Sequence, residues 1–538
     1  ERAAKPRLTA DNQYLIFEIS HAQDSVKALR RAGKKQKDLP KDSIGIYALA
    51  SRNLTKVADI KSYKVPEKWG GWLAYQKEIE PATMEADSTA TDSTAQPLRK
   101  RKTKPTLQLI FRQLSTGVED SIPNAQQYTY AKENSRFLLH SKGKGNSFQQ
   151  GVYVYDCGSR NLQPLWRSKG TFKHLSMSDD GQQAAFVADL DTTDVRIRPF
   201  GLYHWNGRDS ARLIAHNELA WVPENQLISE YKKPSFSKDG TRLFFGLSPK
   251  PIEEDTTLLP EEVVNVEVWS YLDNKLYTQQ EVQAKRELSK SYLATVELSS
   301  QRFQVLGTPD IPNVQTGKEG NADIVLAYDE SPYLRKTSWE GGPSHKDLYI
   351  IDLESGVKTQ IAKNIRTSPQ LSPNADYVSW YSFPDSAWYA HHIETRQTKQ
   401  LTDNKLSVFF DELNDRPMHP YPYGIMGWLK DDEAVLIYDR YDIWKIDPQN
   451  PDEPKRLTNG RAEGITYRYM RLDREARFID PNDPIILRQF DNKTKASGYV
   501  SLSLNTGQTE SLIKDDYQFG RRIYKAKDAN FIVFTKES

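Results

Sequence analysis

With 538 residues, 74 of them Lys or Arg and 72 Asp or Glu, the chain carries a formal net charge of only +2, so no overall field draws it to nucleic acid or to an anionic membrane. No apolar run approaches the roughly 18 residues that span a bilayer, and the N-terminal residues show no signal-peptide pattern. A single cysteine, Cys157, excludes an intrachain disulfide and reads as a small buried hydrophobe.

The first element is a polar turn, Thr9-Ala10-Asp11, opening an apolar strand, Tyr14-Leu15-Ile16-Phe17. Asp, Asn and Gly suit such turns because they tolerate positive φ and their side chains bond to nearby backbone. The same pair of features returns at Ser178-Asp179-Asp180-Gly181 before Ala184 to Val187, and at Ser237-Lys238-Asp239-Gly240 before Leu243 to Phe245. It returns again at Ser372-Pro373-Asn374 before Tyr377 to Trp380, and at Lys430-Asp431-Asp432 before Ala434 to Ile437. A second kind of strand, typified by Asp347-Leu348-Tyr349-Ile350-Ile351-Asp352-Leu353, has copies centred on Tyr47, Ile110, Tyr153, Tyr203, Ala294, Tyr349, Tyr389, Trp444 and Tyr499. Several copies continue through a tight turn into a further strand, as at Glu354-Ser355-Gly356 before Thr359-Gln360-Ile361.

Most steps between copies are roughly 40 to 63 residues, in or just above the range of four-stranded propeller blades. Sheets of this kind cannot bury their apolar faces alone, so successive blades must pack face to face. The 28 Tyr, 19 Phe and 11 Trp supply flat side chains for that stacking. The pattern predicts an all-β chain, a β-propeller of four-stranded antiparallel blades running as one domain over 1–538. Eight blades are expected within a range of seven to nine, the first and last units reading as incomplete.

Two stretches interrupt the repeat by charge. Arg30, Arg31, Lys34, Lys35 and Lys37 lie between the first two strand segments, and Arg99, Lys100, Arg101, Lys102 and Lys104 follow the low-complexity run 86–95. Both read as solvated insertions, with 85–105 flexible; neither interleaves aromatic residues as a single-strand nucleic-acid surface does. Two further segments stand out by composition: Glu218 to Tyr231, and the Pro- and aromatic-rich 411–424.

Catalytic motifs are missing. No Gly-x-Ser-x-Gly elbow occurs, and the nine His are scattered. Adjacent His391 and His392 would point to opposite faces of a strand, with no Cys or carboxylate set to join them, so no metal and no cofactor are expected. The Ser-x-Asp-Gly turns lack the spacer and the Trp of sialidase boxes, which argues against a self-sufficient glycosidase.

The turn-strand pattern, and above all Trp221-Val222-x-Glu224 followed by Tyr231 and the Phe236 turn, resembles the propeller of the prolyl oligopeptidase family of serine peptidases, in its dipeptidyl peptidase IV-like branch. The stretch from Asp431 to Trp444 resembles large peptidase-like proteins of this family in Bacteroidetes. The likeness covers nearly all of the chain but only the family's propeller half. It implies a non-catalytic half, periplasmic or secreted, that gates access and positions peptide substrates for a C-terminal α/β-hydrolase domain beyond Ser538, where the Ser, Asp and His would lie. It also implies a site for the peptide's amino terminus at Glu224, Asn225, Gln226 and Glu230. The branch's paired glutamates fall on Asn225 and Gln226, amides that accept hydrogen bonds from an ammonium without neutralising it. The competing expectation is a non-enzymatic propeller that binds proteins or glycans.

Overall fold

The structure is a computed structural model that describes residues 2–35, 39–79, 106–193, 195, 197–253, 257–259, 261–263, 266, 268–526, 529 and 531–537. The expected insertion at 85–105 falls outside the described residues, and so does Lys37. Tertiary contacts divide the chain into two compact units, Glu1–Glu262 with Ser289–Val305, and Val263–Leu288 with Leu306–Ser538.

Each unit is a series of antiparallel meanders. The first unit holds five sheets, beginning with Ala3–Leu8, Tyr14–Ile19, Ser43–Ala48 and Leu54–Val57. The second holds four more four-stranded sheets and a two-stranded one, Gln518–Lys525 with Ile532–Glu537. The nine outgoing strands read from the sequence are the third strands of these nine larger sheets, from Ser43–Ala48 through His345–Asp352 to Ser497–Leu502. The described residues thus form nine blades, eight of them four-stranded and the fifth with its first strand split in two, the upper end of the expected range.

Packing between blades follows the twofold alternation of strands. In Arg136–Ser141 of the third blade, Phe137 and Leu139 join Phe111 and Ala74 of the second blade, while Leu138 joins Phe186 and Ala188 of the fourth. Phe111 stacks on Tyr155 with ring centroids 4.2 Å apart and planes 7° from parallel. The seventh blade repeats the arrangement: Tyr377 and Tyr381 pack toward the eighth blade, Val378 and Trp380 toward the sixth. Second strands such as Ala184–Asp189 and Tyr377–Ser382 are buried along their whole length, whereas the outermost Thr509–Asp515 is largely exposed.

The turns between first and second strands are closed by carboxylates. Asp11 accepts the Thr9 hydroxyl at 2.5 Å and the Gln13 amide at 3.1 Å. Asp180 does the same for Ser178 and the Gln182 amide, and Asp239 for Ser237 and the Thr241 amide. In the seventh blade the local position is Asn374, and the carboxylate comes instead from Asp432 of the eighth blade. Asp432 accepts the Ser372 hydroxyl and the amides of Asn374 and Asp376, the last at 3.3 Å. It is 3% exposed; burial pushes its carboxyl up, against the pull of those hydrogen bonds.

Removing that acceptor leaves a buried hydroxyl and two amides unpaired, so Asp432→Ala is expected to cost about 3 kcal/mol, read as a lowered denaturant midpoint; an unchanged midpoint would mean the turn closes without it. A second prediction concerns acid. His140 is 3% exposed, its ring 4.8 Å from Phe172, both nitrogens lack a partner, and burial pushes its pKa down to about 4. The unfolded imidazole takes up a proton near pH 6.5 that the folded one refuses until about pH 4, so this contribution to stability is full above pH 6.5 and falls as pH drops toward 4. His140→Phe should flatten the pH dependence of the thermal midpoint within that window.

Candidate functional site on the inner strands of the first unit

The first strands of successive blades lie side by side. Lys64, ending Ile60–Lys64 of the second blade, donates to the Tyr128 carbonyl of the third at 2.7 Å and sits 5.0 Å over the Tyr128 ring. Gln127 Nε2 donates to the Phe172 carbonyl of the fourth blade at 3.2 Å. Lys173 of the fourth blade forms an ion pair with Glu230 of the fifth, and His174 Nε2 donates to the Glu230 carbonyl at 2.6 Å. His174 holds a left-handed φ of 56° at this contact.

The fifth blade departs from the others. Its inner strand is split into Gln226–Ile228 and Ser235–Phe236, both paired with Arg242–Pro249. Ile228 opposes Leu247 and Ser235 opposes Phe244, so residues 229–234 bulge out against only Phe245 and Gly246. Ser229 anchors the bulge: its hydroxyl meets that of Ser291 at 2.5 Å and accepts the Tyr231 amide at 3.1 Å. Lys232 lies against Gly246, where a Cβ would come 2.6 Å from the Cβ of Lys232 and 3.0 Å from that of Ser229. A glycine there is what lets the bulge fold back on the sheet.

The four expected substrate-binding residues are spread along this segment. Glu224 and Asn225 are exposed in a turn just before the Gln226–Ile228 strand, not on a helix; the Asn225 carbonyl accepts the Lys250 amide at 2.9 Å. Gln226 is the first residue of the strand and is 5% exposed, its Oε1 buried without a partner. Glu230 lies beyond the strand, on the bulge, with its carboxylate engaged by Lys173. Roughly 13 Å of extended chain separates Asn225 from Ser229. Trp221, which carries much of the sequence resemblance, is a packing residue: it stacks on Phe303 at 4.6 Å and meets Phe245 edge-on at 5.9 Å.

Sequence reasoning missed the cations. Lys232 and Lys233 follow Tyr231 directly, and a Lys-Lys-Pro run inside an inner strand was the available signal of a bulge. The protein packed around Lys64 lowers its pKa, and the charge of Lys233 lowers it further; surrounding protein likewise depresses Lys232 and Lys233, although Lys233 stays open to solvent. Burial raises the Tyr128 phenol to about 12, so it remains a neutral ring beneath Lys64.

The other compositional outlier, 411–424, is fastened to the second unit. Glu412 takes Arg461 at 2.5 Å, Tyr421 donates to the Gly342 carbonyl at 2.6 Å, and Tyr421 meets Phe383 edge-on. His391 Nδ1 contacts the Thr398 hydroxyl at 2.9 Å while His392 packs edge-on against Tyr377. Among the described residues no three His, Cys, Asp or Glu side chains converge to hold a metal ion, and no helix is long and apolar enough to cross a membrane.

No family model and no curated protein matches this chain. Solved structures do. The tricorn protease is similar over 74% of this chain and 34% of its own, at 11% identity and a TM-score of 0.32. The β-propeller domain of the Trilobed protease from Pyrococcus furiosus is similar over 75% of this chain and 98% of its own, at 11% identity and 0.28. Porphyromonas gingivalis dipeptidyl peptidase 4 is similar over 80% and 62%, at 13% identity and 0.36. All three carry the name of a protease or peptidase, and one is a β-propeller domain. The chain spans about a third of the tricorn protease and less than two thirds of the P. gingivalis enzyme. At such identities and TM-scores the likeness transfers no residue role to this chain.

The seat of the bulge gives a direct check. Gly246→Ala is expected to cost about 1–3 kcal/mol through overpacking and to speed hydrogen exchange of the Ser229 and Tyr231 amides, because Lys232 and Ser229 must move away together. Unaltered exchange in 229–234 would show that the bulge does not rest on Gly246.

Proposed function

We propose that this chain is the non-catalytic propeller half of a serine peptidase, working in the periplasm or outside the cell, where it admits peptides and positions them for an α/β-hydrolase domain. The observation that carries this reading is the bulge at 229–234. A propeller whose only task is stability gains nothing from breaking an inner strand; a break that sets Glu230, Tyr231, Lys232 and Lys233 on the inner side serves recognition. The sequence resemblance around Trp221, Glu224, Tyr231 and Phe236 supports the same assignment.

Within this reading the amino terminus of a peptide meets Glu224 first, since its carboxylate is exposed and makes no hydrogen bond or ion pair among the described residues. Asn225 beside it can accept a hydrogen bond from the ammonium. Glu230 would have to release Lys173 to contribute charge, and Gln226 offers only a buried amide oxygen.

The test uses the full-length gene product. Labelling by a fluorophosphonate probe at a serine outside 1–538, together with a KM for short peptides raised about tenfold and a kcat within about twofold in Glu224→Gln, is the expected result. A folded full-length protein that takes no label but binds proteins or glycans would overturn the peptidase reading in favour of a binding propeller.

A further inference from the structure

We propose that the hollow beneath the helix Gln23–Arg31 binds a small amphiphilic anion, an apolar chain ending in a carboxylate or phosphate, with the helix as its lid. The hollow is a cavity of about 1040 Å³ in the first unit, bounded by the helix and by parts of the first and second blades, among them Glu18, Ile44 and residues 60–63. The helix is an insertion of the first blade, joining its second strand, Tyr14–Ile19, to its third, Ser43–Ala48. Nine residues are too few for a helix to persist in water by itself, and none of these nine is buried. What the helix turns to the cavity is one stripe, Gln23, Val26, Lys27 and Arg30, at the spacing of a single helical face. A ligand under that stripe supplies the packing that the helix lacks.

The lining has two characters. Half-buried Val26, Leu39 and Tyr63 give it apolar walls, and Ile44 and Ile60 at its floor belong to the core shared by the first and second blades. Its charge is uneven: Lys5, Lys27, Arg30, Lys41 and Lys61 line it, against the carboxylates of Glu18, Asp42 and Glu78. Glu18 holds Lys5 at 3.0 Å, and Glu78 is shared between Lys41 and Lys61, the latter at 3.7 Å. Asp42 accepts the His21 amide at 3.4 Å and can match at most one cation. Two positive charges therefore stay in excess around this one cavity, as many as the formal net charge of the whole chain.

The two characters together name the ligand. Excess cations alone draw any anion and apolar walls alone draw any oil, whereas a molecule with a charged head and an apolar tail satisfies both. Lys27 comes from the helix and Lys61 from the strand Ile60–Lys64, so an anion held by both ties the lid to the sheet. The cavity is of a size for one small molecule rather than a folded partner. No residue of the bulge at 229–234 lines it, and the proposal does not rest on the peptidase reading. It also gives a use to part of the basic run that opens at Arg30, which otherwise reads as a solvated insertion.

The test is calorimetric binding to the full chain, with no catalytic readout. The probes are decanoate and decyl phosphate below their micelle concentrations, decanol as the neutral reference, and acetate and inorganic phosphate as heads without a chain. At least one decyl anion should bind about tenfold or more tighter than decanol, the worth of one charge-assisted hydrogen bond, and which of the two does so identifies the head group. Each bare head should bind at least about tenfold more weakly than its decyl counterpart. Lys27→Gln and Lys61→Gln, both at exposed positions, should each remove most of the preference over decanol while leaving decanol itself unaffected. Hydrogen exchange at the helix amides from Val26 onward should slow about fivefold or more when the anion is bound. Failure of both decyl anions to bind, equal binding of decanol, a preference that survives both substitutions, inorganic phosphate binding as tightly as decyl phosphate, or helix amides that exchange no more slowly at saturation would overturn the proposal.

Discussion

A strand in the middle of a propeller blade has no side that faces water, and most of this protein follows from that. Phe137 and Leu138 are neighbours in sequence and belong to different cores, one shared with the second blade and one with the fourth. Strands buried on both faces are selected for size and flatness on every residue, which is why they are rich in Tyr, Phe and Trp. Such strands are also poor at setting their own register. A slip by one residue exchanges one buried face for another and exposes nothing apolar, so the usual penalty is weak. Register then falls to the turns, and the carboxylates of Asp11, Asp180 and Asp239 are the residues that fix them.

This division of labour explains what was legible in the sequence. The turn aspartates and the strands centred on Tyr47 through Tyr499 are local patterns, each contained within a dozen residues, and the structure places all nine of those centres in third strands. The expectation of eight blades discounted the first and last units as incomplete; the repeats themselves numbered nine. Asp432 was read correctly as a turn residue, but its service to Ser372 spans 60 residues and leaves no local trace. The candidate site is non-local to a greater degree. Glu230 looks like a free carboxylate until Lys173, 57 residues away, is folded against it. Gln226 illustrates a different gap: beside Glu224 and Asn225 in sequence, it is turned inward by the strand that begins there.

The inner strands also differ in what they do. Those of the second, third and fourth blades are stitched to one another through backbone carbonyls, at Tyr128 and Phe172, with the side chains of Lys64 and Gln127 as the stitches. At the fifth blade the connection changes to an ion pair and an imidazole contact on a bulge, groups whose strength depends on their surroundings. Strands stitched through backbone carbonyls therefore meet a segment whose contacts respond to charge.

The loan of a carboxylate from the eighth blade to the seventh bears on how such a protein can change over time. Repeat proteins grow and shrink by copying or losing whole units, which is harmless when every unit closes its own turns. Here the seventh unit carries Asn374 where the first, fourth and fifth carry an acid, and its turn is closed only beside the eighth. The pair has become a single heritable block: neither blade can be duplicated, deleted or transplanted without the other, and any shuffling of units must pass around this boundary.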